Sequence, residues 1–228
     1  MSVVIAIKEN GVTYMAADTQ ISFGDSKRHL KSDSLQKVWA VTDTPNCIMG
    51  GVGLARDLNL IRYCTSELIP EASVLKNEIN VGTIMLNTVP AIFESIRTYT
   101  QLVTGCDKDI PISSEFVLAY KDKVFDIAPD GTVEEVEDYI AIGSGADAAL
   151  GSLKHTTDEP VYDRLIKALD AAAESNLYVS EPYVYIDTEN STLMYLVSED
   201  MLEEEEEDEE DEGNEAENQE ESADTKEN

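Results

Sequence analysis

The chain has few cysteines, few positive charges and no long hydrophobic run. Its three cysteines, Cys47, Cys64 and Cys106, lack a metal-binding spacing, and their odd number argues against a disulfide framework. No apolar stretch is long enough to span a bilayer, and no signal peptide precedes the first apolar segment. These absences predict a soluble, cytoplasmic protein without membrane contact, bound metal or cofactor.

Basic residues are scarce. The chain has 16 Lys and Arg and 47 Asp and Glu, which gives a formal net charge of −31. Sixteen of the acids and one of the bases lie in residues 203–228, which leaves a net charge of −16 for the remainder. This acidic body argues against duplex nucleic acid as a partner. Residues 203–228 have no apolar face to bury, so we predict a folded domain over residues 1–202 and a disordered acidic tail after it.

The first eighteen residues are the most informative stretch. Two apolar runs, at 3–7 and 12–17, flank the turn sequence Glu9-Asn10-Gly11 and predict a β-hairpin. Antiparallel pairing returns Asp18 close to Ser2. Because Ser2 is small, Met1 can be removed, which leaves a free α-amine and a hydroxyl on the same residue. An α-amine with a pKa of about 8 can serve as the base that a serine nucleophile needs.

This stretch resembles the start of the proteasome β-subunit family, and most closely the HslV-like peptidases. That family opens with Thr, an apolar strand, a basic residue, Asn-Gly, a second strand and Ala-(Ala/Gly)-Asp-X-Gln. The matching positions here are Ser2, Lys8, Asn10-Gly11 and Ala16-Ala17-Asp18-Thr19-Gln20. The resemblance implies that Ser2 is the nucleophile, in place of the family's Thr, and that Asp18 is its conserved acid.

The resemblance also implies the fold. N-terminal nucleophile hydrolases have an α+β fold, a four-layer αββα sandwich in which two stacked antiparallel sheets lie between helical layers. The element order predicted here agrees with it. Strands come first, then helices near Leu54–Leu68 and Val81–Val103, with a kink or break at Pro90. More strands, a helix from about Asp158 to Tyr178 and a final hairpin complete the chain.

Lys37 is a candidate catalytic residue. Lys37-Val38 matches a Lys-(Ile/Val) pair that lies beside the nucleophile in the family, if the preceding loop is a few residues longer than in HslV. A cation there depresses the pKa of the amine or hydroxyl and stabilises developing charge. The alternatives are a Lys that begins a strand with its ammonium in water, and an alignment in which Lys31 takes this place.

Glycines at 50, 51 and 53 join a short strand to a helix, and no Gly-Lys-Ser/Thr follows, which excludes a phosphate loop. Backbone N–H groups in such a turn can form an oxyanion hole. By resemblance we place the oxyanion N–H at Gly53, with Gly50 or Gly51 as alternatives. A plain tight turn is the other interpretation.

The run Ala141-Ile142-Gly143-Ser144-Gly145 matches the family's Ala-Ile-Gly-Ser-Gly, in which the serine helps to hold the N-terminal amine. Ser144 can also cap the helix that follows. The family has a supporting acid late in the next long helix, where Glu174 falls, with Asp170 as the alternative. The residues after Glu174 depart from the family pattern, which leaves this role and a monovalent cation site open.

The resemblance covers roughly Ser2 to Leu202 and implies a proteasome-like endopeptidase that cleaves through an acyl-enzyme on Ser2. It further implies a ring-forming homo-oligomer and a separate AAA+ ATPase that unfolds substrates, since this chain has no Walker motif. Two other hypotheses remain open. One is a catalytically inactive ring subunit or scaffold, and the other is an amidohydrolase of the same fold acting on small amides.

Overall fold

The structure, a computed structural model, describes residues 2–23, 25–31, 36–64, 68–76, 78–105 and 111–196. The predicted acidic tail, the domain end at Leu202 and Cys106 lie outside the described residues. The strands are β1 (Val3–Glu9), β2 (Val12–Asp18), β3 (Gln20–Phe23), β4 (Ser26–His29), β5 (Val38–Ala40), β6 (Cys47–Val52), β7 (Glu115–Tyr120), β8 (Lys123–Ile127), β9 (Val133–Val136), β10 (Tyr139–Gly143), β11 (Tyr183–Asp187) and β12 (Met194–Leu196). The helices are α1 (Ala55–Tyr63), α2 (Glu71–Lys76), α3 (Val81–Thr83), α4 (Val89–Thr104), α5 (Ala146–His155) and α6 (Val161–Ser175).

The strands form two five-stranded sheets and one hairpin. The first sheet has the order β10-β1-β2-β11-β12, and the second has the order β5-β6-β7-β8-β9. Among the described strands, β3 pairs with β4 alone. Every neighbouring pair is antiparallel. Along the chain, the elements follow the strand-helix-strand-helix-strand order that the sequence predicted, so this prediction is confirmed.

Side-chain alternation along the strands builds four layers. In β1, Val3, Ile5 and Ile7 pack against α5 and α6, while Val4 and Ala6 pack between the two sheets. The far face of the second sheet, which includes Met49 and Phe116, packs against α1 and α4. Two stacked sheets between two helical layers confirm the predicted αββα sandwich.

The hairpin of β1 and β2 sets the position of the N-terminus. Asn10 and Gly11 have φ values of 52° and 84°, as a two-residue hairpin turn requires. Glu9 consequently pairs with Val12, and the register continues unbroken to Val4 opposite Ala17. The next positions along the two strands are Val3 and Asp18, so the turn brings the acid to the start of the chain.

The helix predicted over Val81–Val103 is interrupted as Pro90 led us to expect. A π-helical turn, Ile84–Thr88, separates α3 from α4, and Pro90 lies in the first turn of α4. Proline lacks an N–H and its ring displaces the carbonyl four residues earlier, which a wider turn accommodates. Gly105, with φ of 65°, ends α4.

Within the described ranges, no helix has both the length and the apolar character needed to cross a lipid bilayer. Cys47 and Cys64 are free thiols, with Cys47 buried in β6. Burial raises the pKa of the Cys47 thiol, which disfavours the reactive thiolate.

Candidate active site

Asp18 organises the N-terminus of the chain. It ends β2 with a fully buried side chain. Its Oδ1 accepts the N–H of Val3 at 3.0 Å, and its Oδ2 accepts the N–H of Gln20 at 3.1 Å. Ser2, which precedes Val3, is only 6% exposed. Asp18 therefore fixes the backbone on which Ser2 is carried, as the hairpin predicted.

Lys37 is the partner of Asp18. It directly precedes β5, and its Nζ lies 2.7 Å from Asp18 Oδ2 and donates to the carbonyl oxygen of Gln20 at 2.6 Å. Its side chain is 5% exposed, so the interpretation of Lys37 as a solvated strand residue does not describe this structure. Lys31, the other candidate, is exposed. The structure thus places Lys37 and not Lys31 beside the acid.

Burial has the largest effect on the titration of both members of this pair. It raises the pKa of the Asp18 carboxyl and lowers the pKa of the Lys37 ammonium. The ion pair opposes both shifts, and the two backbone N–H donors also favour the ionised carboxylate. A buried cation of this kind can act electrostatically on a neighbouring hydroxyl or amine.

Ser144 contacts the nitrogen of the candidate nucleophile. The nitrogen of Ser2 donates to Ser144 Oγ at 3.1 Å, and Ser144 Oγ lies 3.4 Å from the carbonyl oxygen of Ser2. Gly145 N also approaches that carbonyl oxygen at 3.4 Å. Gly143 has φ of 96°, and a Cβ there would clash with the Ser2 carbonyl. The amide of Asn176 donates to the backbone oxygen of Ser144 at 2.7 Å and holds the turn.

Gly53 follows the end of β6 with a positive φ, a conformation that glycine adopts readily and other residues adopt rarely. Its φ is 123°, and a Cβ there would lie 2.6 Å from the Cα of Ser114. The Ser114 hydroxyl accepts the N–H of Leu54 at 3.2 Å and donates to Asp57 Oδ2 at 2.9 Å. Asp57, 1% exposed, also forms an ion pair with Arg56. The hydrogen bonds of Ser114 to Leu54 and Asp57 therefore hold the turn that carries Gly53 in place.

The two alternative glycines are engaged in the sheet. A Cβ on Gly50 would meet Met15 and other atoms between the sheets. The N–H of Gly51 donates to the carbonyl oxygen of Lys37 at 2.9 Å, and a Cβ on Gly51 would lie 2.8 Å from the ring of Phe116. Of the three glycines, Gly53 is the one that lines the cavity described next.

These groups meet at one cavity of about 560 Å³. Ser2, Lys37 and Gly53 all line it. The β3–β4 hairpin forms one wall, and the start of α1 forms the other. The arrangement places a serine, a lysine and a glycine turn around one space, and a nucleophile, a nearby charge and a backbone N–H are groups that acyl transfer uses.

A sequence profile of the family described as Proteasome subunit matches residues 2–182. The chain belongs to this family. Its structure is similar to that of Thiobacillus denitrificans BPH in complex with epoxomicin, with a TM-score of 0.63 and 19% identity over 86% of this chain and 100% of that one. It is also similar to eukaryotic HslV from Trypanosoma brucei, with a TM-score of 0.58 and 16% identity over 81% of this chain and 98% of that one.

A third similar structure is the Anbu (Gly-1) mutant from Hyphomicrobium sp. strain MC1, with a TM-score of 0.59 and 15% identity over 87% of this chain and 88% of that one. No curated protein matches the chain significantly. Identities at this level show a shared fold, and the residue roles in this proteasome-family chain are argued from its own geometry.

The two candidate supporting acids of this proteasome-family chain occupy different environments. Glu174 is exposed near the end of α6. Asp170, one turn earlier, accepts the hydroxyl of Tyr183 at 2.9 Å. Tyr183 lies opposite Asp18 in the β2–β11 pairing, and burial followed by the charge of Asp170 raises its pKa. Asp170 is therefore linked to the strand position opposite Asp18 through the side chain of Tyr183, whereas Glu174 is exposed to solvent.

Gln20 is a site residue to which the sequence analysis gave no separate role. Its backbone bonds both Asp18 and Lys37, and its side chain is buried. The side-chain amide donates to the carbonyl oxygen of Leu177 at 3.0 Å and accepts the hydroxyl of Ser180 at 2.6 Å. Its place in the Ala-Ala-Asp-Thr-Gln motif was the only signal. Gln20 ties the segment after α6 to the buried ion pair.

Ser114 was also missed, because nothing in its local sequence marks it. It lies 57 residues from its partner Asp57, and only the pairing of β6 with β7 brings them together. Among the described residues, no group of three His, Cys, Asp or Glu side chains is arranged to hold a metal ion. The prediction that the protein needs no cofactor remains a prediction.

Proposed function

We propose that this chain is an N-terminal nucleophile endopeptidase whose nucleophile is Ser2. The observation that carries the proposal is the contact of Ser2 N with Ser144 Oγ, beside the buried pair of Asp18 and Lys37. In the translated chain that nitrogen belongs to a peptide bond. After removal of Met1 the same nitrogen is an α-amine, already placed beside a hydroxyl that can hold it.

The proposed mechanism follows from these positions. Ser2 Oγ attacks the scissile carbonyl carbon while its proton passes to the α-amine, directly or through water. The N–H of Gly53 stabilises the resulting oxyanion, and such a donor contributes about 3–4 kcal/mol in other enzymes. Collapse expels the amine product with the proton from the ammonium and leaves an ester on Ser2. Water then attacks this ester, and the free acid is released.

The surrounding residues adjust this chemistry. Lys37 places positive charge near the hydroxyl and favours its deprotonation, while Asp18 holds the Lys37 ammonium and the backbone after Ser2. Ser144 orients the amine through its hydroxyl. Serine lacks the methyl group that restricts the rotamer of threonine, so we expect the natural chain to turn over more slowly than a Ser2→Thr variant.

We extend the proposal to assembly. Four large apolar side chains on α1, on α4 and in the π-helical turn before α4 are strongly exposed: Tyr63 at 71%, Leu86 at 78%, Leu102 at 79% and Val103 at 62%. Exposed apolar surface of this kind is typical of protein interfaces. We therefore propose a ring of identical subunits. From the family resemblance we further propose that this ring lies in the cytoplasm and receives unfolded substrates from a separate ATPase. Leu102→Lys should lower the sedimentation coefficient, and an unchanged value would contradict this interface.

The peptidase proposal is tested on the N-terminal residue. We expect the purified protein to lack Met1 and to gain one adduct on Ser2 with a peptide vinyl sulfone, a β-lactone or epoxomicin, which the relative from Thiobacillus binds. Intact mass and peptide mapping give both results. Ser2→Ala should abolish the adduct and peptide hydrolysis. Ser191→Ala, which alters a serine beyond β11, is the matched control and should retain both.

A ring subunit without activity is the second candidate, favoured by the exposure of Glu174 at the place of the family's supporting acid. Retained Met1 with no adduct would support it, because the required amine would not exist. Full peptidase activity in Ser2→Ala would contradict the proposed nucleophile.

A further inference from the structure

Ser114 packs against the turn that carries Gly53. It is 1% exposed and precedes β7, whose first residue, Glu115, pairs with Val52. A Cβ on Gly53 would lie 2.6 Å from the Ser114 hydroxyl oxygen, so the two residues are in direct contact. On the other side of Gly53, the N–H of Leu54 donates to Ser114 Oγ at 3.2 Å. Two successive residues, 114 and 115, therefore hold both neighbours of Gly53.

This arrangement fixes the direction of one backbone N–H. The N–H of Gly53 belongs to the planar peptide group between Val52 and Gly53, so its direction follows from the torsions on either side of that plane. The pairing of Val52 with Glu115 restrains the first torsion, and the bond of Leu54 to Ser114 restrains the second. Loss of the Ser114 hydroxyl would release one of these two restraints.

The polarity of the Ser114 hydroxyl is set by a buried carboxylate. Its single proton is donated to Asp57 Oδ2 at 2.9 Å, since an ionised carboxylate can only accept. The hydroxyl oxygen is thereby left to accept the N–H of Leu54. Asp57 is 1% exposed, and its Oδ1 accepts Nε and Nη2 of Arg56 at 3.0 and 2.9 Å. Hydrogen bonds to a charged partner are the stronger ones, so this chain from Arg56 to Leu54 is well suited to hold the turn.

We propose that Ser114, with its hydroxyl directed by Asp57, is a positioning residue that aims the N–H of Gly53 at the oxyanion. The inference rests on the proposed function, in which Gly53 supplies this donor. Gly53 lines the cavity beside Ser2, and Ser114 and Asp57 lie outside the described lining. Ser114 thus acts through the backbone, and it supports an interaction that is strongest in the transition state.

The first test separates kcat from KM. Removal of an oxyanion donor lowers kcat by about 100- to 1000-fold in other enzymes. Ser114→Ala displaces the donor without removing it, so we expect kcat to fall about tenfold and KM to stay within about twofold. The substrate is acetyl-Leu-Leu-Leu-aminomethylcoumarin, and the release of the coumarin amine gives both constants.

Two inhibitors provide a readout that a general loss of structure would not give. With the aldehyde acetyl-Leu-Leu-leucinal, Ser2 Oγ bonds to the carbonyl carbon, and the carbonyl oxygen takes up a proton in the place of the oxyanion. With a tri-leucine vinyl sulfone, Ser2 Oγ bonds to the terminal vinyl carbon, and the hydroxyl proton passes to the carbon next to sulfur. Only the first product places a former carbonyl oxygen at Gly53. Ser114→Ala should therefore weaken aldehyde inhibition about tenfold and leave the rate of vinyl sulfone adduct formation within about twofold.

Thr88→Val is the matched control. Thr88 is fully buried in the π-helical turn before α4, and its hydroxyl donates to the carbonyl oxygen of Leu68 at 2.7 Å. This variant also loses one buried hydroxyl, but we expect it to retain kcat and aldehyde inhibition. Asp57→Asn is a second test that keeps the side-chain shape. An amide there can donate to Ser114 and frees the hydroxyl to rotate, so it should give the same selective loss with a smaller size.

The outcomes are distinct. A wild-type protein that forms no adduct on Ser2 would refute the peptidase proposal and the inference that rests on it. An active wild type with unchanged kcat and aldehyde inhibition in Ser114→Ala would overturn the positioning role alone. Equal losses with the aldehyde and the vinyl sulfone would also overturn it, because they would show a general disturbance of Ser2. If Ser114→Ala does not fold, Asp57→Asn decides, and unaltered aldehyde inhibition in that variant would count against the inference.

Discussion

Replacing Lys37 with methionine removes the cation from the buried pair while keeping most of the side-chain volume. Asp18 would then be a fully buried carboxylate with two backbone N–H donors and no cation. Removal of one partner from a buried ion pair typically costs about 3–5 kcal/mol, because the remaining charge is uncompensated. We expect Lys37→Met to lower the free energy of unfolding by that amount and to abolish peptidase activity.

The measurement is urea unfolding followed by fluorescence, with peptide hydrolysis in parallel. The double variant Asp18→Asn/Lys37→Met removes both charges, so we expect it to be about 1–3 kcal/mol more stable than Lys37→Met alone. It should nevertheless stay inactive, because the cation beside Ser2 is still missing. Comparing Lys37→Met with the double variant therefore separates the effect of the buried pair on stability from the effect of the cation on activity.

An exposed ion pair provides the control. Lys167 pairs with Glu159 on the surface, where the two side chains are 53% and 34% exposed. Lys167→Met should change the free energy of unfolding by less than about 1 kcal/mol. If Lys37→Met were as mild as this control, the buried pair would not hold the N-terminus. If it hydrolysed peptides at the wild-type rate, Lys37 would have no catalytic role.

Further predictions concern backbone and charge. Gly143→Ala should abolish peptidase activity, because a methyl group there clashes with the carbonyl oxygen of Ser2. Gly151→Ala is the control, because Gly151 lies in open space on α5. It should leave the activity unchanged and increase the free energy of unfolding by about 0.5–1 kcal/mol. Burial, then the charges of Glu115 and Glu134, raises the pKa of Asp126 to about 6. The folded state thus binds the proton of the Asp126 carboxyl more tightly than the unfolded chain does. The stability that this proton contributes is complete below about pH 4 and is lost as pH rises through about 6. We expect Asp126→Asn to increase the free energy of unfolding by about 1–2 kcal/mol at pH 8 and to leave it unchanged at pH 4, with the size reduced because Asp126 is partly exposed. Urea titrations at the two pH values measure this effect. An equal effect at both values would contradict the assignment.

The proximity of Ser2 and Asp18 could be predicted because it depends on local structure alone. Asn10-Gly11 specifies a two-residue turn, and this turn fixes the register over the whole hairpin. The sandwich was predicted from the family resemblance and from the order of strands and helices. The structure agrees with the continuous apolar run of β1, because both faces of this strand are buried.

Lys37 was harder to assign, because the length of the preceding loop decided between it and Lys31. Ser114 could not be predicted at all, since its contact with Asp57 depends on the pairing of two strands that are distant in sequence. Asp170 and Glu174 are four residues apart and lie on the same face of α6, so they differ in their position along the helix, with Glu174 next to its last residue. Helical periodicity left both positions open until Tyr183 was seen to contact Asp170.

The burial of Ser2 has a consequence for the order of events in biosynthesis. An aminopeptidase must bind an extended N-terminus to cut the bond between Met1 and Ser2. The nitrogen of that bond is Ser2 N, which is held by Ser144 in a residue that is 6% exposed. On the proposed function, we therefore expect methionine to be excised before the first sheet closes around Ser2. For the same reason, an N-terminal affinity tag would prevent maturation, and recombinant protein should carry its tag at the other end.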